Sequence, residues 1–314
     1  MGTAGRRWIP RLVLAAALTV IGSIPAAGAS AKSKPADQAI RILAGTPGTA
    51  EHSLAKLLAA RLKHATVRVR TVLTGHERLL LLNAGEGDLA IVAGHVLAAA
   101  HDGKAEYSFR SKLSELRAIA ALDDELMYVV AAKDAGVAKL ADLKGKRVSV
   151  GPPRSDTELA ARAILAAAGV RPENFSTTEY LPFADAAELI KNKQLDAFFH
   201  LAPAADPQLK ALAGEILLVE IPPAMARKLG APFQPASIGA NAYPSQTKAV
   251  ATAQIPSWLV ARADLSAAAV HDLIKALFDQ RKEAGRAMRD PARHAPVPLH
   301  AGAARFFREK GRGP

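Results

Sequence analysis

The spacing of apolar positions changes period repeatedly along this chain. Residues 40–45 read Ile-Arg-Ile-Leu-Ala-Gly, a short strand pattern, and 51–62 place Leu54, Leu57, Leu58 and Leu62 at helical spacing. Residues 67–72 alternate apolar with polar and predict a second strand. A leucine-rich stretch at 77–83, closed by Gly85, predicts a helix, and 88–92 a third strand. Strands alternating with helices in this way imply a mostly parallel sheet covered on both faces.

Two further strands are expected at 116–122 and 126–132. A second unit then follows: strand 147–151, helix 158–168, strand 177–181, helix 184–192, strand 196–201 and helix 206–214. Residues 222–244 are rich in proline and glycine and read as loop, apart from a short helix at 224–229. An apolar strand at 254–261 contains Trp258. Asp264 or Ser266 then caps a helix through Leu273, Leu277 and Phe278. The two units share a local grammar. In each, a helix ends, a polar turn follows, and an aspartate (Asp88, Asp196) opens a buried strand.

The first 31 residues stand apart. Arg6, Arg7 and Arg11 precede an apolar run over 12–24, with small-x-small cleavage signals at 27–29 and 29–31. This predicts a secretory signal peptide, cut after Ala29 or Ala31, and an exported, periplasmic protein. The run is short against the ~20 apolar residues of a membrane span. The chain has no cysteine, which excludes disulfides, thiolate metal sites and a thiol nucleophile.

Lys and Arg number 41 against 29 Asp and Glu. Loss of residues 1–31 removes three arginines and no acid, leaving a net charge of +9 on the remaining chain. Nucleic-acid binding is not indicated, because aromatic content is 5% and no basic helix or stacking platform stands out.

The most informative stretch is 142–169, where a strand ends at Gly151-Pro152-Pro153 and a helix starts near Ser155 or Asp156. Free N–H groups at such a helix start can hold an anion, and Arg154 stands beside them. Loops at the carboxyl ends of parallel strands are where open α/β sheets bind ligands. Enzyme signatures are weak. The glycine pattern at 85–90 precedes a strand instead of following one, no G-x-S-x-G elbow or H-E-x-x-H pair occurs, and Asp123-Asp124-Glu125 reads as a solvated turn. Ser155 with His76 or His200 is the one nucleophile–base pairing available, and the chain is read as a non-enzyme without cofactor or metal.

Five stretches, 81–92, 140–151, 183–187, 195–199 and 298–303, together resemble the TAXI family of TRAP-transporter solute receptors, a branch of the type II periplasmic binding proteins. The resemblance implies two α/β lobes joined by a hinge, with lobe 1 formed by 32–125 plus 255–314 and lobe 2 by 126–254. It implies a small solute, an organic acid or amino acid, held between the lobes by a monomer and delivered to TRAP-type permease subunits in the membrane. A sensory or scaffolding receptor is the alternative. The expected ligand contacts are Thr46, Thr49 and Ser53 in the first loop, Thr74 and Arg78 in the second, Arg154, Ser155 and Thr157 in the third, and His200 at a strand end. The same hydroxyls could simply cap helices.

Three loops depart from the family pattern. Ala50-Glu51-His52 stands where the family carries tyrosines. The second loop reads Thr74-Gly75-His76-Glu77-Arg78 in place of a serine and a Glu-Asn pair. The third reads Arg154-Ser155-Asp156-Thr157 instead of glycine-serine-glycine-threonine. A carboxylate ligand beside Asp156 requires compensation from Arg78 or Arg154, because like charges repel strongly in a low dielectric.

Overall fold

The computed structural model describes residues 39–311 apart from 48, 63–65, 213, 245 and 284–294. The expected signal peptide, with both cleavage signals, lies outside the described residues. The first unit contains β1 (Ile40–Ala44), α1 (Ala50–Arg61), β2 (Val67–Thr71), α2 (Gly75–Asn83), β3 (Leu89–Ala93) and α3 (Gly94–Asp102). The long β4 (Leu116–Ala132) leads into a second unit. That unit contains β5 (Arg147–Ser149), α4 (Asp156–Ala167), β6 (Thr177–Glu179), α5 (Phe183–Lys191), β7 (Ala197–Pro203), α6 (Pro207–Lys210), β8 (Ile216–Leu218), α7 (Pro223–Leu229) and β9 (Gln234–Ile238). The chain returns through β10 (Val250–Arg262) to α8 (Ala267–Glu283) and α9 (Ala301–Glu309).

Among the described residues the strands form one mixed sheet in the order β2-β1-β3-β10-β4-β7-β5-β6, with β8 beside β4 and β9 beside β10. β1 pairs in parallel with β2 and β3, and β5 in parallel with β6 and β7. Antiparallel β4 and β10 join these sets. The amino-terminal part of β4 pairs with β10, and 125–131 pair with β7. β10 pairs with β9 over 250–254 and with β3 over 257–261. The sheet therefore runs without a break through the expected lobe boundaries, and the described residues belong to one unit.

Helices cover both faces of each half. In the first half, Leu58, Ile91, Leu273 and Phe306 pack on one face and Leu79, Val96, Phe109 and Trp258 on the other. In the second, Val148, Ile164 and Phe199 form one core cluster, and Tyr128, Ile190 and Phe198 another. Each such fully buried side chain stabilises the fold by roughly 1.5–3 kcal/mol relative to exposure.

Several expected elements are corrected. The strands expected at 116–122 and 126–132 are one, because the ladder continues through the expected turn: Asp124 opposes Pro256, and Glu125 opposes Ile255 and Pro203. Glu125 is 7% exposed and so is not part of a solvated turn. The loop expected over 222–244 contains β9, whose proline is tolerated because β9 lies at the end of a ladder and pairs with β10 alone. The helix expected at 206–214 is limited to α6, and β8 follows it.

Candidate functional site

The loops at the carboxyl ends of β1, β5, β6 and β7 border one cavity of about 740 Å³. Thr46, Thr49, Ser53, Arg78, Ser155, Thr157 and His200, all expected as ligand contacts, lie along its wall. Two expected contacts do not. Thr74 is buried and caps α2, accepting a hydrogen bond from the Glu77 N–H at 3.1 Å. Arg154 sits exposed at a turn in a left-handed conformation, φ 58°, and is not among the residues bordering the cavity.

The hydroxyls at the wall also serve as caps. Thr49 accepts from the His52 N–H at 3.3 Å and donates to the Thr46 carbonyl at 2.9 Å. Ser53 donates to the Thr49 carbonyl. Ser155 accepts from the Glu158 N–H at 3.1 Å, and Thr157 from the Leu201 N–H at 3.3 Å. Thr49, Thr74 and Ser155 thus each satisfy one otherwise free N–H at the starts of α1, α2 and α4.

Arg78 is 2% exposed, and its surroundings decide the electrostatics of this end of the cavity. Its guanidinium lies 3.4 Å from Asp156 and 3.5 Å from Glu51, and it donates to the Val72 carbonyl at 3.1 Å. Its Nε is buried without a hydrogen-bond partner. Asp156, the first residue of α4, sends its carboxylate across to α2 and β3: it accepts from the Gly75 N–H at 3.1 Å and from the Ala93 N–H at 3.4 Å. Its carbonyl lies 3.0 Å from Nε2 of His95, an N–H donor in that tautomer. Glu125 borders the same cavity. Burial, then repulsion from Glu51 and Asp156, pushes its carboxyl well above the usual carboxylate range, so it is held neutral.

At the other end, His200 lies 2.8 Å from Asp206. Burial pushes Asp206 up, but hydrogen bonds from His200 and the Gln208 N–H leave its carboxyl below the ordinary value. Phe183 packs against His200 with ring centroids 4.6 Å apart and gives this end an apolar wall. His76 contacts the Ser108 carbonyl at 3.2 Å and stacks on Phe109, so its ring is engaged away from Ser155. No group of three or more His, Asp or Glu among the described residues could hold a metal ion.

Sequence reading missed Glu51, Glu125 and Asp206 as wall residues. Glu51 was legible as a departure from the family loop, but Glu125 lay hidden in an apparent acidic turn. Asp156 was legible as a helix start; its reach across to α2 was not.

Two parallel strand sets joined by long antiparallel strands, with loops meeting at a ligand-sized cavity, define the type II periplasmic-binding-protein fold. The chain belongs to the NMT1-like family, whose model matches residues 44–311. Solved structures agree at the level of fold. A Xanthomonas citri protein bound to ATP superposes with a TM-score of 0.54 at 12% identity, covering 85% of this chain and 98% of that one. A Bordetella bronchiseptica RB50 protein gives 0.52 at 17%, covering 84% and 76%. Apart from that agreement, the chain is similar to the periplasmic aliphatic sulphonate binding protein SsuA from Escherichia coli, at a TM-score of 0.47 and 18% identity, covering 79% of this chain and 76% of that one.

Proposed function

We propose that the protein is an exported solute-binding receptor, not an enzyme, and that the 740 Å³ cavity receives a small organic acid or amino acid. The observation that carries this reading is the convergence of the loops after β1, β5, β6 and β7, which belong to separate βα units, on one cavity at strand carboxyl ends. β4 and β10 supply the hinge, because among the described residues they are the strands that pass between the two parallel sets. Solute binding favours the closed form only by its difference in affinity for the two forms. The closed form then docks on membrane permease subunits, of TRAP type by the resemblance carried by residues 81–92, 140–151, 183–187, 195–199 and 298–303. Export through the segment 1–31 places the receptor in the periplasm.

A thermal-shift screen of the purified protein with organic acids and amino acids tests the reading. A ligand at a hundred times its dissociation constant adds about 2.7 kcal/mol. The expected result is one or a few compounds that raise Tm by several degrees, with the shift lost in Thr157→Val and Phe183→Ala. Shifts that survive both substitutions contradict the cavity as the binding site.

A further inference from the structure

The inference concerns the solute class and rests on the receptor reading. The Gly75 N–H, the Ala93 N–H and the Arg78 guanidinium form a niche of donors at the cavity wall, suited to a carboxylate. The niche is already filled. Both oxygens of the Asp156 carboxylate lie in it, one on Gly75 and the other shared between Ala93 and Arg78. The Arg78 Nε is buried without a hydrogen-bond partner, so the guanidinium retains a donor that its present neighbours do not use. Glu51 lies 3.5 Å from the same guanidinium, so two carboxylates face one buried cation.

Along the rest of the wall Asp206 adds a carboxylate held against His200, and Glu125 a buried acid kept neutral beside Glu51 and Asp156. A wall with this excess of acid within a chain of formal net charge +12 is a local departure that composition does not foretell. Because Coulomb energy rises as the dielectric falls, a solute carboxylate brought against it is disfavoured and a protonated amine or guanidinium favoured.

We propose that Asp156 fills the anion niche with the chain's own carboxylate, so that the cavity takes a small solute presenting a protonated amine or guanidinium group to Glu51 and Asp156, and excludes plain dicarboxylates. Asp156 is then the residue that determines specificity. Its removal vacates the niche and converts the site to one that accepts a carboxylate.

Isothermal titration of the purified full-length protein with agmatine, L-arginine, succinate and L-glutamate tests this. The wild type is expected to bind agmatine or L-arginine at least tenfold more tightly than succinate. Asp156→Ala is expected to lose that preference and to gain at least tenfold in succinate affinity. Glu51→Gln is expected to weaken the cationic probes without a succinate gain, because Asp156 still occupies the two N–H groups. Asp156→Asn, closer in shape, serves the same comparison if the alanine variant does not fold. Tighter succinate than agmatine binding by the wild type overturns the inference and leaves the receptor reading standing, and so does an unchanged succinate affinity in a folded Asp156 variant. Silence of wild type and variants toward all four probes overturns this solute class. Silence toward the wider screen of acids and amino acids overturns the receptor reading as well.

Discussion

The carboxylate of Asp156 approaches the backbone of Gly75 so closely that a Cβ on residue 75 would lie 2.3 Å from its Oδ1. Position 75 lies within α2, and this contact, not the local backbone, is what makes a side chain costly there. A methyl group would force out a carboxylate held by two N–H groups and Arg78. Gly75→Ala is therefore expected to cost about 1–3 kcal/mol, as overpacking of a filled site does. In Asp156→Ala the same change should cost much less, giving a coupling of at least ~1 kcal/mol in a double-mutant cycle by urea denaturation. Additive single effects would show that the two residues do not meet.

Glu125 predicts a gain of stability. Its folded-state pKa is raised by burial and by Glu51 and Asp156, so ionisation favours the unfolded chain. Its penalty is absent below the unfolded value of about 4.5 and grows as pH rises above it. Glu125→Gln should raise Tm at pH 8 and leave it nearly unchanged at pH 4. An equal effect at both pH values would show that the carboxyl is not held neutral.

His95 acts in the opposite direction. Full burial lowers its pKa from 6.5 to about 4, with the Asp156 charge and carbonyl opposing the shift. The neutral ring is the folded form, so its contribution is fully present above about pH 6.5 and is lost as pH falls toward 4. The linkage amounts to ~3 kcal/mol. Chemical denaturation between pH 7 and pH 4 should show a loss of this size that shrinks in His95→Gln. An unchanged slope would place the acid sensitivity elsewhere.

The first and second halves use the same clamp. Arg41 gives Asp88 its backbone N–H at 2.8 Å and two guanidinium bonds at 3.0 and 3.1 Å. Arg147 binds Asp196 in the same way, at 2.7, 3.1 and 2.6 Å. The bond from Arg147 holds the Asp196 carboxyl below its ordinary value, so its contribution is present above about pH 3.8 and lost as pH falls. Asp196→Ala should cost about 1–2 kcal/mol at pH 7, the lower part of the range for charged hydrogen bonds, since Arg147 is partly exposed. A cost below ~0.5 kcal/mol would reduce the clamp to a surface ion pair.

That clamp shows how far the sequence could be read. The repeated turn-then-aspartate pattern at Asp88 and Asp196 was visible, because each aspartate stands at a fixed step before an apolar strand. Its partners were not, since Arg41 and Arg147 lie 47 and 49 residues away and nothing local links them. The βα units were legible from their periodicity, whereas β9 was masked by its proline and α3 by its short alanine-rich run. The tail stretch 298–303 was legible only as a resemblance. In the fold, the Pro298 carbonyl and His300 N–H bond to Ala118 on β4. His300 caps α9, and Gly302 lets α9 meet α8, where a Cβ would lie 2.2 Å from the Ala267 carbonyl. At the cavity wall, Thr49 and Ser155 were legible because they double as caps, while Glu125 required knowledge of the ladder.

The most direct test of solute capture is a crystal structure of the protein with the compound that most raises its Tm. The account predicts electron density for that compound inside the 740 Å³ cavity, in contact with Thr49, Ser155 or Thr157 and with its cationic group near Glu51 and Asp156. Density for the compound at any other surface, with this cavity holding only solvent, would contradict it.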